Sequence, residues 1–226
     1  MDGNTLHDSL FPSELFRVRD PMSTLTHFIA FLAAIFGTSP LLIHAAQQKA
    51  SLTTLISLSI FMLSMISLYG ASSAYHAFFL SDKGTTVLKK LDHTMIFFLI
   101  AGSYTPVCVV KLGSAGTKLL LLVWALALAG AIFKLCWVTC PKWVSSVIYI
   151  AMGWSCLTAM PQLVAALDNQ GFFWLLLGGI FYTVGGILYA LKPKCLEGKA
   201  FGIHEIFHVF VMTGSLCHYV FMYGFL

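Results

Sequence analysis

Polar and charged residues fall along the 226-residue chain in short clusters separated by long oily intervals. A helix crosses about 30 Å of hydrocarbon with roughly 20 apolar residues. Seven intervals meet that length: 24–46, 51–80, 91–110, 117–137, 143–166, 171–191 and 203–225. The fourth is the weakest, because Lys134 shortens its uncharged core, and its amine is expected to reach the interface by snorkelling. The connections QQK (47–49), SDKGTTVLKK (81–90), KLGSAGTK (111–118) and KPKCLEGK (192–199) are short and polar. Neighbouring helices should therefore pack antiparallel. The pattern predicts an all-α integral membrane protein, a seven-transmembrane helix bundle over 21–226, preceded by a polar segment at 1–20. That segment lacks the basic start, apolar middle and small-residue cleavage site of a signal peptide and is expected to be retained.

Composition sharpens this picture. Hydrophobic residues make up 58% of the chain and charged residues 10%, and mean hydropathy is +0.86, far from the balance of a soluble domain. Basic loops are held on the cytoplasmic side. On the amino-terminal side lie Arg17, Arg19, Lys83, Lys89, Lys90, Lys134, Lys142, Lys192, Lys194 and Lys199, against Lys49, Lys111 and Lys118 on the other. The expectation is a cytoplasmic amino terminus and an external carboxyl terminus. The net charge of +4 is read as a topology signal, and no nucleic-acid partner is expected. Six scattered cysteines read as packing or interfacial thiols. Cys136 and Cys140 are spaced to share a helix face, but no second pair completes a structural metal site.

Ionisable groups within spans are costly in lipid and usually face a bundle interior or a polar cavity. Of the nine acids only Asp92 and Glu205 sit at span mouths. By the antiparallel order, His27, His76, Asp92, His93, His204 and His208 share one depth, whereas His218 lies ten residues beyond His208, roughly 15 Å deeper. His204 and His208 are i, i+4 and stack on one helix face; Ser72 and His76 repeat that spacing on the second span. Zinc accepts three histidines and leaves a fourth position for water, and Asp92 is placed to orient that water or take its proton. Hydrogen-bonded amphipathic histidines at an interface fit the same spacing. For Glu205 a favourable charge in the first turn of a helix is the simpler reading.

Longer motifs add to these readings. SSAYH (72–76), KLDHTMIFFLIAGSYTPV (90–107), GGIFYTVGGILYALKP (178–193) and HEIFHVFVMTGSLCHY (204–219) resemble the bacterial hemolysin III proteins, the prokaryotic branch of the progestin and adipoQ receptor family, from about residue 20 to the end. The family's first-helix motif, an acid, Asn and then Thr-His, appears as DPMSTLTH (20–27), with Asp20 where Glu is usual and Ser23 where Asn is usual. The resemblance implies a zinc ion (Zn2+) in the cytoplasmic half of the bundle, held by His76, His204 and His208, with Asp92 holding a zinc-bound water and Ser72 close behind. His27, His93 and His218 match family positions but are not ligands in that picture.

The function it implies is membrane lipid homeostasis. The favoured form is a zinc-dependent hydrolase of a lipid amide or ester, as proposed for the wider superfamily that includes alkaline ceramidases, with Asp92 as base and Ser72 as oxyanion donor. The alternative is a non-enzymatic receptor or regulator of membrane composition braced by structural zinc. A cytolytic pore finds less support, because no span carries the polar stripe of a wide aqueous lumen. Membrane lipid is the expected partner, and the plasma membrane, as the bacterial inner membrane, the expected location. GGIFYTVGG (178–186) reads as small-residue helix packing. Pro40, Pro106 and Pro161 should kink the first, third and fifth spans, with hydroxyls of GSYTP (102–106) re-satisfying freed carbonyls.

Overall fold

A computed structural model describes residues 18–198 and 201–226. Arg17, Lys199 and most of the polar segment 1–20 lie outside the described residues. Among the described residues, seven helical spans are long and apolar enough to cross a membrane: Pro21–Gln47, Leu52–Ala77, Asp82–Lys111, Gly113–Cys136, Lys142–Ala166, Asn169–Leu191 and Ile203–Phe225. The chain is a multi-pass membrane protein, as its hydropathy pattern predicts. Several starts are capped by side chains that take up otherwise orphaned amides: Ser51 accepts from the Thr54 amide at 3.1 Å, and Asp168 from that of Gly171 at 2.7 Å.

The first four spans pack in sequence, the fifth lies on the sixth, the sixth on the seventh, and the seventh returns to the first. The result is a closed ring of helices. Phe61, Phe97, Val123, Ala127 and Phe221 fill its interior without exposure, while Phe36, Leu121 and Ile132 point outward as a lipid-facing surface. Gly178 shows why small residues recur in GGIFYTVGG: a side chain there would strike the His218 ring of the seventh span. Gly130 likewise makes room for Phe97.

Helix ends depart from the hydropathy reading. The third span begins at Asp82, not 91, so SDKGTTVLKK is helical over most of its length, and the fourth begins at Gly113, leaving only Leu112 between the two. Charged residues are compatible with a helix that simply extends beyond the hydrocarbon; hydropathy locates the oily core of a span, not its hydrogen-bonded end. Leu112 can turn the chain because Gly113 takes a left-handed φ of +51°.

Lys134 does not snorkel. It is 1% exposed and turns inward, donating to Ser145 Oγ at 2.6 Å and Cys140 Sγ at 3.1 Å. Polar partners from the following connection and the fifth span satisfy it within the protein. Cys136 and Cys140 do not share a helix face either, because the fourth helix ends at Cys136. All six cysteines are free.

Of the three prolines, Pro40 and Pro106 sit inside continuous helices, whereas Pro161 follows a 3-10 stretch, Trp154–Ala159, that breaks the fifth span. Ser103 and Thr105 bond to the carbonyls of Ile100 and Ala101. Neither reaches the Gly102 carbonyl, which is the one that Pro106 deprives of its amide. Tyr104 instead serves the break in the fifth span: its hydroxyl donates to the Gly153 carbonyl at 2.5 Å and accepts from the Cys156 amide at 2.9 Å.

Candidate metal centre

The second span ends, and the first and seventh begin, at one end of the ring. His76 occupies the last turn of the second span; His204 and His208 occupy the first two turns of the seventh. One nitrogen from each of these three imidazoles lies within 4.8 Å of the others, and His76 Nε2 and His204 Nε2 are 3.0 Å apart. A tetrahedral zinc with Zn–N bonds of about 2.0–2.1 Å separates its ligand nitrogens by roughly 3.3 Å. The observed spread brackets that value.

Neighbouring groups decide where the ring protons sit. Asp20 Oδ2 lies 3.1 Å from His76 Nδ1. A carboxylate only accepts, so Nδ1 carries the hydrogen and the lone pair is left on Nε2. Thr26 Oγ1, whose own hydrogen is directed to the backbone carbonyls of Met22 and Ser23, lies 3.1 Å from His208 Nδ1 and accepts from it in the same way. This is the outer arrangement by which metal-binding histidines are oriented. With the His76 Nε2 lone pair facing His204 at 3.0 Å, a proton or a cation must lie between the two rings. His204 Nδ1 is buried and finds no partner among the described residues. The residues fit a metal ion: three imidazoles converge, and two are held in the ligating tautomer.

Asp20 precedes the first span and is partly exposed. Burial opposes its ionisation, but hydrogen bonds and charge from His76 and Arg19 outweigh burial and hold its carboxyl below the usual carboxylate range. The sign follows: a lowered carboxyl pKa makes the Asp20–His76 interaction fully present above the ordinary carboxylate range, and it is lost only as pH falls through the lowered value.

His27 stacks on His208 with ring centroids 3.5 Å apart and lies edge-on to Tyr69, while both its nitrogens lack hydrogen-bond partners among the described residues. It acts as a platform for the His208 ring. Ser23 donates to Glu205, whose other oxygen accepts from the Gly202 amide at 2.9 Å, so Glu205 caps the seventh span and ties it to the first. His218 lies deeper and bonds the Leu175 carbonyl at 3.2 Å, as its depth in the sequence suggests.

Asp92 and Ser72 are buried in the wall of a cavity of about 620 Å³ that the three histidines also line. Neither hydrogen-bonds to the histidine triad. Asp92 Oδ2 lies 3.2 Å from His93 Nδ1 without the alignment of a hydrogen bond, and the Ser72 hydroxyl has no partner among the described residues. From this polar end the cavity runs between the third to seventh spans to Leu112, Leu119, Leu163 and Phe172 near the opposite end. A largely apolar channel thus meets a histidine cluster, a carboxylate and a hydroxyl.

Fold and site together define a seven-span helical membrane protein with a cluster of three histidines that can hold a metal ion. The chain belongs to the haemolysin-III related family, whose sequence model matches residues 16–219. It is 37% identical over 203 residues to the Hemolysin-3 homolog of Bacillus subtilis, covering 89% of this chain and 92% of that protein. It is 35% identical over 194 residues to Hemolysin-3 of Bacillus cereus, 85% of each chain. A more distant likeness, 30% over 135 residues, joins it to the human Monocyte to macrophage differentiation factor, covering 57% of this chain and 51% of that one.

Sequence reasoning missed Asp20 and Thr26 as orienters. The substitution of Asp for the family's usual Glu at position 20 pointed away from a defined role, and nothing local to DPMSTLTH announces which ring each residue meets.

Proposed function

We propose that this protein is a zinc-dependent hydrolase of a lipid amide or ester, acting in membrane lipid homeostasis. The observation that carries the reading is the meeting, in one cavity, of three imidazoles with two pre-set tautomers, a buried carboxylate and a long apolar channel. His76, His204 and His208 would hold the metal, which supplies Lewis acidity towards a carbonyl group and towards water. Asp92 accepts a proton from water in the cavity. Ser72, whose hydroxyl is otherwise unpaired among the described residues, donates to the oxygen on which negative charge develops. The channel towards Leu119 and Phe172 takes the acyl chain and excludes bulk water from the carbonyl. By the distribution of lysine and arginine, the site end of the ring faces the cytoplasm.

The experiment is turnover by purified, zinc-loaded protein on a panel of ceramide-like amides and acyl esters. Asp92→Asn should lower kcat by about 10²- to 10⁴-fold while retaining the metal. Absence of turnover over the whole panel, or full activity in Asp92→Asn, would overturn the hydrolase.

One observation favours a second reading, in which the metal braces a receptor or regulator. The first span packs along both the second and the seventh, and the second and seventh are joined by polar contacts, the histidines and the Tyr69–Ser215 bond of 2.6 Å. A metal there would clamp them together. Under this reading a chelator lowers thermal stability and no lipid is turned over.

A further inference from the structure

Lys134 is the least expected group in the cavity wall. Its amine is buried, and no carboxylate pairs with it among the described residues; its hydrogen bonds go to the neutral groups Ser145 and Cys140. An ammonium carries three donors, so one remains for something in the cavity. A buried cation with only neutral partners is costly unless an anion joins it.

Other cations stand at the same end. Lys142, Lys192 and Lys89 line the cavity beside Lys134. Lys142 Nζ lies 4.1 Å above the Tyr189 ring, and that ring is 5.7 Å from the His204 ring. Tyr149, one turn beyond Ser145 on the fifth span, donates to the His93 carbonyl at 3.0 Å, which places the lysine pocket beside the turn that carries Asp92. Four lysines therefore surround the polar end of a chamber whose far end is apolar, with Asp92 the only acid in its lining among the described residues.

We propose that the cavity selects a glycerophospholipid whose headgroup carries a net negative charge: the phosphate is bound by Lys134 and Lys142 with Lys89 and Lys192 around it, and an acyl chain runs towards Leu119 and Phe172. This rests on the reading of the cavity as a lipid chamber and names the class of lipid it takes. A phosphate with several acceptor oxygens can engage both amines, and a headgroup without a cation leaves that charge to answer the four lysines, whereas the choline of a zwitterionic lipid sets a like charge among them.

The test is binding, so that it stands apart from hydrolysis. Delipidated, full-length protein of verified zinc content is titrated in detergent with phosphatidylglycerol, with phosphatidylcholine of the same acyl chains, and with inorganic phosphate, and thermal unfolding is followed. Phosphatidylglycerol should bind about thirtyfold more tightly than phosphatidylcholine, the contribution of two lysines to an anionic headgroup. The preference should vanish in Lys134→Met/Lys142→Met and persist in Lys118→Met, at the opposite end of the fourth span. Native mass spectrometry of the wild type, counting each lipid retained, gives the same comparison if the double variant does not fold, and Lys142→Met alone should then narrow the preference. Equal binding of the two lipids, or a preference undiminished by the lysine substitutions, overturns the proposal. A shift reproduced by inorganic phosphate alone also overturns it, since it makes the ligand a soluble anion. If zinc or turnover is absent while the lipid preference holds, the hydrolase reading fails and this one stands.

Discussion

At the scale of single residues, the site depends as much on what holds the histidine rings as on the rings themselves. Asp20 and Thr26 each fix a hydrogen on Nδ1 and so leave the Nε2 lone pairs of His76 and His208 available to a metal. Loss of such an outer partner typically costs 10- to 100-fold in metal affinity. Asp20→Ala and Thr26→Val should each weaken zinc binding by about that factor, read by competition with a chromogenic chelator, without changing helix content. Wild-type affinity in both variants would detach these residues from the site. The HEIFH spacing is legible in the sequence because i, i+4 is a local relation that any helix converts into a shared face. Asp20 and Thr26 are not legible, because their partners lie 56 and 182 residues away and only packing of the first span against the second and seventh brings them into range.

At the scale of elements, hydropathy located every span and misplaced several ends. The oily stretches mark where lipid must be met, but Asp82–Lys90 forms helix beyond it, and Lys134 stays within the protein because Ser145 and Cys140 answer its amine. Neither outcome is encoded in a run of apolar residues. The fifth span is the weak element. Its break at Trp154–Ala159 interrupts the regular backbone ladder, and the Tyr104 hydroxyl serves both a carbonyl and an amide there. Leaving such groups without partners costs about 1–3 kcal/mol. Tyr104→Phe should therefore lower stability by that amount, measured by thermal unfolding in detergent, with metal content unchanged. An unaltered unfolding midpoint would show that the tyrosine is not what holds the break.

For the whole molecule, closure of the ring converts a shared depth into a shared site. The sequence places His27, His76, Asp92, His93, His204 and His208 in one layer; it cannot say which helices touch. Contact between the first and seventh spans supplies the answer, stacking His27 on His208 and setting the His204–His208 pair against His76, while Asp92 enters through the cavity wall. The same closure leaves a chamber running most of the bundle's length, with cations and histidines at one end and aliphatic and aromatic side chains at the other. Such a chamber suits an amphiphile lying along the membrane normal more than a water-filled pore.

The central claim is that His76, His204 and His208 hold a metal, and elemental analysis of the purified protein tests it most directly. The account predicts about one zinc per chain, lost in His76→Ala and in His208→Ala and retained in His218→Ala, whose ring bonds the Leu175 carbonyl far from the cluster. Wild-type protein without zinc, or a full complement in either ligand variant, would contradict it.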